Sequence, residues 1–247
     1  MKHYGLIGKT LVHSFSQKYF LQKFAQEGIV ADYALCEVPT SESLYSLLSC
    51  EKWNGLNVTI PYKTAIIPYL DALDADAEKI GAVNVVRFVR HAGHCQTIGY
   101  NTDAIGFEQS LKPLLTPYHD KALVLGTGGA SKAVTFVLDK LGIEWIYVSR
   151  EAGPNRLDYA ETDAETVAQH RLIINATPLG MYPEIEGYPD IPYHALTARH
   201  LLFDLVYNPS KTAFLAYGEK YGAATKNGAE MLRFQAEAAY RIWTSEM

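Results

Sequence analysis

Four short polar clusters in the first half of the chain carry side chains that can bind or protonate a small polar molecule. Each cluster follows a predicted strand or begins a predicted helix, and the carboxyl ends of strands in open α/β sheets line the ligand crevice. Taken singly, such residues are often helix caps or solvated charges. Together they predict one polar pocket, formed by Ser14-Phe15-Ser16, Asn57-Val58-Thr59-Ile60-Pro61-Tyr62-Lys63, Gly81-Ala82-Val83-Asn84 and Gly99-Tyr100-Asn101-Thr102-Asp103.

A glycine-rich turn in the second half is typical of a nucleotide-binding site. The apolar run 122–125 leads into Gly126-Thr127-Gly128-Gly129-Ala130, and a predicted helix follows at once. Glycine permits positive φ and lets a diphosphate approach the N–H groups at the start of a helix. The dinucleotide-binding pattern GxGxxG has glycine where this chain has Ser131, so the turn is a variant of that fingerprint.

The end of the next predicted strand indicates which dinucleotide binds. An NAD site has an acidic residue there for the ribose 2′-OH, whereas an arginine favours the 2′-phosphate of NADP. Ser149 and Arg150 occupy this position, and the guanidinium fork of an arginine can bind phosphate through two hydrogen bonds. We therefore expect NADP as the cofactor, with Glu151 as a discordant negative charge beside it.

The elements that must position these residues alternate between β-rich runs and amphipathic stretches, which predicts an α/β fold. The segments 82–89 and 95–99 are predicted to pair antiparallel across a turn at His91-Ala92-Gly93. The predicted strands are 3–8, 33–38, 55–58, 82–89, 95–99, 122–125, 145–149, 172–175 and 201–205, and the predicted helices are 17–28, 41–49, 62–70, 75–80, 103–115, 130–141, 211–221 and 229–243.

Composition excludes several classes of protein. The 247 residues are 48% hydrophobic and 20% charged, which argues against wholesale disorder. The net charge is −5 without a basic run, so a nucleic-acid partner is not expected. No apolar stretch is long enough for a membrane span or a secretory signal. Cys36, Cys50 and Cys95 form no CxxC pair, and no metal-ligand spacing occurs. We expect a cytoplasmic protein that holds no metal.

Taken in order, the motifs closely resemble the shikimate dehydrogenase family. The resemblance extends to Asn175-Ala176-Thr177-Pro178-Leu179-Gly180-Met181, to Asp204-Leu205-Val206-Tyr207 with Lys211-Thr212, and to Asn227-Gly228-Ala229-Glu230-Met231-Leu232 before Gln235. It implies two domains with a cleft between them: an α/β substrate domain with a mostly parallel sheet, and a Rossmann-like dinucleotide-binding domain. Residues 1–102 and a C-terminal helix at about 229–247 would form the substrate domain, and 103–228 the NADP domain.

The resemblance also implies an activity and a set of site residues. Members of the family reversibly reduce 3-dehydroshikimate to shikimate with NADPH, in aromatic amino-acid biosynthesis. Here Ser14 and Ser16 would hold the substrate carboxylate with Thr59 and Tyr207, near Asn57. The ring hydroxyls would contact Lys63, Asn84, Asp103 and Gln235. The cofactor would lie on Gly126, Thr127, Gly128, Gly129, Ala130, Ser149, Arg150, Thr177, Leu205 and Gly228.

Reduction of a ketone needs a hydride on carbon and a proton on the oxygen. An ammonium near the carbonyl stabilises the developing negative charge and can donate that proton. We therefore expect Lys63 to be the proton donor and acceptor, coupled to Asp103, which orients it and binds a substrate hydroxyl.

Two alternatives remain at this point. One is a quinate/shikimate dehydrogenase that uses NAD; Ser149-Arg150 argues against it, because an acidic residue would be expected at position 149. Family members commonly read Asn-Arg-Thr at the strand end with a second arginine four residues later, where this chain has Ser149-Arg150-Glu151 and Pro154, with Arg156 nearby. The other is a non-catalytic protein that senses the metabolite; the presence of both Lys63 and Asp103 argues against it. Either a monomer or a homodimer is compatible with the sequence.

Overall fold

The computed structural model describes residues 1–11, 14–48, 53–91 and 94–245, and their contacts divide the chain into two units. The first unit is Met1–Thr102 with Ala236–Met247, and the second is Asp103–Gln235. Cys50 and the predicted turn residues Ala92 and Gly93 lie outside the described residues. No helix in the described part of the chain is long and apolar enough to cross a membrane.

The first unit contains a six-stranded mixed sheet with the strand order β2-β1-β3-β5-β6-β4. The first three strands in this order are parallel, and β5 is antiparallel to both of its neighbours, β3 and β6. The strands are β1 (Lys2–Gly8), β2 (Ala31–Glu37), β3 (Gly55–Val58), β4 (Ala72–Leu73), β5 (Val85–His91) and β6 (His94–Tyr100), and the helices are α1 (Phe15–Gln26), α2 (Leu44–Leu48), α3 (Tyr62–Ala65) and α4 (Ala75–Ile80).

The second unit contains a six-stranded sheet in which every neighbouring pair is parallel, in the order β12-β11-β10-β7-β8-β9. This order is the doubly wound arrangement. Strands β7 to β9 are added towards one side of the sheet, and strands β10 to β12 are added towards the other, so the strand order reverses between β7 and β10. Its elements are α5 (Thr102–Leu111), β7 (Lys121–Leu125), α6 (Gly129–Lys140), β8 (Glu144–Ser149), β9 (Arg156–Asp158), α7 (Ala164–Gln169), β10 (Leu172–Asn175), β11 (Leu201–Asp204), α8 (Ala213–Lys220), β12 (Ala224–Lys226) and the start of α9 (Ala229–Thr244).

The central strands of the second unit are almost continuously apolar, as is usual for parallel strands that are covered on both faces. Leu123 and Leu125 of β7, Ile173 of β10 and Leu202 of β11 are fully buried and pack in one core with Phe214 of α8. This explains why the central strands were predictable from short apolar runs.

Several elements differ from the sequence-based prediction. The predicted helix 62–70 ends at Ala65 and continues as a 3-10 turn over Ile67–Tyr69, because Pro68 cannot donate the next helical hydrogen bond. Pro113 likewise limits α5, which gives way to a 3-10 turn over Lys112–Leu114. The strands β4, β9 and β12 and the six-residue helix α7 were not predicted. Elements this short carry little periodicity.

The last turns of α9 belong to the first unit, where they pack on an aromatic core. The Trp243 ring centroid lies 4.9 Å from that of Tyr4 and 5.1 Å from that of Phe20, and its indole N–H donates to the Val86 carbonyl over 3.1 Å. Gly55 of β3 faces this indole, and a Cβ at that position would overlap the ring. The absence of a side chain at Gly55 therefore allows the helix to dock.

Charged groups fasten the same part of α9 to α1. The Lys23 ammonium lies 2.9 Å from a Glu27 carboxylate oxygen and 3.1 Å from one of Glu237, and the Tyr19 hydroxyl donates to Glu237. Tyr240 of α9 donates in turn to Glu27. The side chain of Lys23 is only 16% exposed, so water screens this network less than an isolated surface pair.

Replacing Gly55 with alanine is expected to destabilise the protein, although alanine is normally the better strand residue. Overpacking of a filled core costs about 1–3 kcal/mol, which urea denaturation would measure. In a Trp243→Leu background the same change should cost less than about 0.5 kcal/mol, because the overlapping ring is gone. An equal loss in both backgrounds would contradict the proposed contact.

Candidate active site

The four polar clusters of the first unit meet at one edge of its sheet. Ile7, near the end of β1, pairs with Val58 at the end of β3, and Asn57 pairs with Val85 at the start of β5. Val85 pairs in turn with Tyr100 at the end of β6. Because β5 is antiparallel, its amino end lies beside the carboxyl ends of its neighbours. The sheet therefore brings the predicted clusters to a single edge.

A chain of buried hydrogen bonds links these clusters. The Tyr33 hydroxyl donates to Asn57 Oδ1 over 2.7 Å, and Asn57 Nδ2 donates to the Asn84 carbonyl over 3.4 Å. Asn84 Oδ1 accepts the Thr102 backbone N–H over 2.7 Å, and Asn84 Nδ2 donates to Thr102 Oγ1 over 3.0 Å. Asn84, just before β5, and Thr102, just after β6, thus join these two segments through paired side chains and backbone groups.

The first cluster joins the same chain through Ser16, whose hydroxyl hydrogen-bonds that of Tyr33. Burial raises the pKa of Tyr33 well above its usual value, so its hydroxyl keeps the proton that it donates to Asn57. Ser14 caps α1 by accepting the Gln17 backbone N–H over 3.4 Å. Both serines are half-buried at the start of the helix, next to the polar edge.

Thr59 and Lys63 follow the carboxyl end of β3. The Thr59 backbone N–H donates to the Ile7 carbonyl over 2.9 Å, which prolongs the pairing of β3 with β1. Lys63 lies in α3 with its side chain half-buried, and its carbonyl accepts the Val83 N–H over 2.7 Å. That bond fixes the Lys63 backbone beside the segment that carries Asn84.

Asp103 is bonded to Thr102 and is the first residue of the second unit, where only 6% of its surface is exposed. Within that unit α5 packs tightly against α9 at Gly106, one helical turn after Asp103. A Cβ at Gly106 would lie 2.5 Å from the Met231 carbonyl oxygen and 3.1 Å from Cβ of Gln235. Asp103 and the buried Gln235 therefore come from two helices in direct backbone contact.

The glycine turn lies at the carboxyl edge of the second sheet, where its strand order reverses. Gly126 has φ +99°, and a Cβ there would lie 2.9 Å from Thr177 Cγ2, in the loop that follows β10. Gly128 is the N-cap of α6, with no side-chain cap and no atom within 4 Å of the position of a Cβ. The open space before an uncapped 12-residue helix fits an anionic group such as a diphosphate.

Ser131, the departure from the glycine fingerprint, is accommodated inside the helix. Its side chain is fully buried, and its hydroxyl donates to the Gly128 carbonyl over 2.6 Å. A small side chain with an internally paired hydroxyl serves here in place of the glycine that usually allows close packing of helix and strand.

Ser149 and Arg150 lie at the end of β8, as predicted. The Ser149 hydroxyl donates to the Glu151 carbonyl over 3.1 Å, and the Arg150 side chain is exposed. Arg156 of β9 extends over the same turn, with its Nη2 donating to the Ala152 carbonyl over 3.2 Å. Its Nε–H is buried without a partner in the described structure. Two arginines therefore border the end of β8.

Sequence reasoning did not assign a role to Asp204, which lies fully buried at the carboxyl end of β11. Its carboxylate accepts hydrogen bonds from Thr212 Oγ1 at 2.5 Å, Asn175 Nδ2 at 3.0 Å and the Val206 N–H at 3.0 Å. Asn175 Oδ1 then accepts the Thr177 N–H and hydroxyl at 3.0 and 2.6 Å. The available signal was a lone acidic residue at the end of an apolar strand.

The segment after Asp204 holds the remaining predicted residues of the second unit. The Leu205 N–H donates to the Asn175 carbonyl over 2.9 Å, and the Gly228 N–H donates to the Val206 carbonyl over 3.1 Å. A Cβ at Gly228 would overlap the Leu205 backbone. Tyr207 is half-buried, and burial raises the pKa of its hydroxyl. Leu205 and Gly228 are therefore in backbone contact.

Comparison with known proteins gives a consistent result. The sequence profile described as "Shikimate dehydrogenase substrate binding domain" matches residues 6–86. An enzyme of Caldanaerobacter subterraneus subsp. tengcongensis named shikimate dehydrogenase (NADP(+)) is 36% identical, over 99% of this chain and 92% of its own.

Solved structures extend the similarity to the fold. The shikimate 5-dehydrogenase of Thermus thermophilus, in complex with NADP(H) and shikimate, aligns with a TM-score of 0.84 at 30% identity, over 100% of this chain and 95% of its own. The quinate dehydrogenase of Corynebacterium glutamicum, in complex with NAD, aligns with a TM-score of 0.85 at 27% identity, over 98% and 93%.

The buried carboxyl of Asp204 is expected to make stability depend on pH. Burial raises its pKa to about 6, so between about pH 4 and 6 the folded protein holds a proton that the unfolded chain has released. Stability contributed by this group therefore falls as pH rises through that window, by about 3 kcal/mol. Urea denaturation at pH 4–7 should show Asp204→Asn gaining that amount relative to the wild type.

Asp163→Asn is the matched control, because hydrogen bonds from the Thr166 backbone and hydroxyl lower the pKa of Asp163. The stability that Asp163 contributes is lost only as pH falls below about 4, so the difference between the wild type and this variant should stay nearly constant across most of the range from pH 4 to 7. A difference between the wild type and Asp204→Asn that stays constant from pH 4 to 7 would exclude the titration of Asp204.

Proposed function

The chain belongs to the shikimate dehydrogenase family, and from this premise we propose that it catalyses the reversible NADPH-dependent reduction of 3-dehydroshikimate to shikimate. This reaction is a step of aromatic amino-acid biosynthesis. The observation that carries the proposal is the hydrogen-bonded polar edge of the first sheet, which collects hydroxyl, amide and ammonium groups suited to a polyhydroxy acid. The uncapped glycine turn of the second unit supports a dinucleotide as the redox partner.

The proposed substrate site uses the clusters of that edge. Ser14 and Ser16 bind the substrate carboxylate, with Thr59 and Tyr207 as further hydroxyl donors. Asn57 keeps Tyr33 and the Asn84 backbone in position, consistent with the partners of both of its polar atoms. The ring hydroxyls are bound by Lys63, Asn84, Asp103 and Gln235. Such a site rejects molecules that leave its polar groups unpaired.

The proposed cofactor site lies on the second unit. The backbone of Gly126, Thr127, Gly128, Gly129 and Ala130 holds the diphosphate. Ser149 and Arg150 hold the 2′-phosphate, a role for which the exposed guanidinium is suited. Thr177, Leu205 and Gly228 border the nucleoside ends, and the network of Asp204 supports their loops. When bound, NADPH supplies the hydride.

The protein's own residues then handle the proton. As negative charge develops on the substrate oxygen, the Lys63 ammonium stabilises it and donates the proton to it. Asp103 orients that ammonium and accepts a hydrogen bond from a neighbouring substrate hydroxyl. In the reverse direction Lys63 accepts the proton from the hydroxyl. Two hydrogen bonds support the pairing: the Val83 N–H donates to the Lys63 carbonyl, and the Thr102 N–H donates to Asn84 Oδ1.

We propose that the chain forms two domains, one that binds the substrate and one that binds NADP. Residues 1–102 and the helix at about 229–247 form the substrate domain, and residues 103–228 form the NADP domain. The profile match at residues 6–86 lies within the first of these, and the glycine turn lies within the second.

The test is the absorbance of reduced nicotinamide with purified protein, using shikimate or quinate with NADP⁺ or NAD⁺. We expect turnover with shikimate and NADP⁺, and an Arg150→Gln variant with a KM for NADP⁺ raised at least ~10-fold, the scale of one bidentate phosphate contact. Glu151→Gln is the control at the neighbouring position. Faster turnover with quinate and NAD⁺ would favour the quinate enzyme; shikimate binding without any turnover would favour a sensor.

Replacing Lys63 with alanine is expected to lower kcat at least ~100-fold, the contribution typical of a general acid. The KM for NADPH should stay within about twofold, because Lys63 belongs to the proposed substrate site. Steady-state kinetics measure both values. Lys79→Ala, at an exposed lysine of the same unit, should keep the wild-type kcat. A near-normal kcat in Lys63→Ala would rule out its role in proton transfer.

A further inference from the structure

The edge of the second sheet opposite the glycine turn carries a cluster of cationic side chains. Arg171 directly precedes β10, Arg199 lies two residues before β11, and Tyr118 lies three residues before β7. These three strands are neighbours in the sheet. Strands of four or five residues separate this amino-terminal edge from the carboxyl-terminal edge by about 15 Å. None of these residues is part of the proposed cofactor or substrate site.

Both guanidiniums lie against the same aromatic ring. The guanidinium carbons of Arg171 and Arg199 are 5.7 and 4.8 Å from the centroid of the Tyr118 ring. Cation–π contact at these distances holds a guanidinium in place but leaves its N–H groups available for hydrogen bonds. Among the described residues neither guanidinium forms an ion pair with a carboxylate.

Two identical turns hold the segments that carry Tyr118 and Arg199. In Thr116–His119 the threonine N–H donates to the histidine Nδ1 over 3.1 Å, and in Thr197–His200 the same bond measures 3.0 Å. In both turns the histidine N–H donates back to the threonine carbonyl over 3.0 Å. The His119 ring also hydrogen-bonds the Arg199 backbone, which ties one turn to the other.

The local field at this edge is positive. Burial lowers the pKa of His119 and of His200, and the charge of Arg171 lowers both further. Asp120 is the carboxylate that acts in the opposite direction on His119. The adjacent Lys121 is paired with Glu144 at 3.3 Å. Arg171 and Arg199 thus contribute like charges at one place without a carboxylate of their own.

A concavity of about 350 Å³ opens at these residues. Arg171, Arg199, Thr197 and His200 line it, together with the small side chains of Ala168, Ala195 and Ala198. The volume lies within the range of small-molecule sites. The alanines leave room beside the guanidiniums for a ligand of several heavy atoms.

We propose that this concavity is a second ligand site, which binds a small molecule carrying carboxylate or phosphate groups between Arg171 and Arg199. The planar fork of arginine matches both oxyanions, and the bound charge relieves the repulsion between the two guanidiniums. The paired Thr-x-x-His turns fix the segments that carry Arg199 and Tyr118, and the Arg171 carbonyl accepts the Leu201 N–H over 2.8 Å. The site is therefore ordered before the ligand arrives, which reduces the entropy lost on binding.

Isothermal titration calorimetry tests the site, with citrate as the carboxylate probe and inorganic phosphate as the phosphate probe. Ionic strength is held constant with chloride. NADP⁺ is present in excess, so that the proposed cofactor site is occupied and does not bind the probes. We expect saturable binding of at least one probe, weakened at least 10-fold in both Arg171→Gln and Arg199→Gln. The probe that binds more tightly identifies the oxyanion that the site prefers.

Arg241→Gln is the matched control, because Arg241 is an exposed arginine of the first unit. It should bind the probes like the wild type. All three variants should keep the wild-type melting temperature and kcat, which separates loss of binding from unfolding. Absence of saturable binding, or equal affinity in the Arg171, Arg199 and Arg241 variants, would overturn the proposal. Because binding is measured without turnover, this outcome is independent of whether the protein is a dehydrogenase.

Discussion

Amide and hydroxyl groups withdrawn from water at a sheet edge must find partners, and the first unit meets this requirement with side chains from four separate segments. Asn57 and Asn84 are 5% and 3% exposed, yet their side chains are joined to Tyr33, Thr102 and the backbone. Loss of one partner would leave its neighbour buried and unpaired, at a cost of about 1–3 kcal/mol. The segments of the first unit that carry Ser16, Asn57 and Asn84 are consequently held in one arrangement before any ligand binds.

In the second unit a buried polar group at the sheet edge is a carboxylate, that of Asp204. Its buried carboxylate, Asp204, accepts three hydrogen bonds that offset part of the cost of burial, and these bonds fix the loops after β10 and β11. The Thr177 side chain, held through Asn175, then lies against Gly126, where only a residue without Cβ leaves room. Two features therefore fix the glycine turn: the positive φ of Gly126, and the contact with Thr177, which is held by the hydrogen bonds of Asn175 and Asp204.

How much of this was predictable depends on whether the cause is local. The strand 122–125, the glycine turn and the helix after it follow from adjacent residues, and parallel strands follow from the alternation of strands and helices. The bond between Tyr33 and Asn57 joins residues 24 positions apart, and that between Asn175 and Asp204 joins residues 29 apart. The strands β9 and β12 also depend on residues distant in the sequence. Each has three residues, which form a strand only because β8 and β11 offer an edge for pairing.

At the amino-terminal edge of the second sheet, hydrogen bonds also determine which side chains are charged. His200 Nδ1 accepts the Thr197 N–H, and its Nε2 lies 3.0 Å from the Val167 carbonyl, which can only accept. The proton is therefore on Nε2 and the imidazole is neutral. His119 is bound in the same manner, between Thr116 and the Arg199 backbone. Both imidazoles are neutral and hold the two turns together, so the positive charge at this edge comes from the guanidiniums of Arg171 and Arg199.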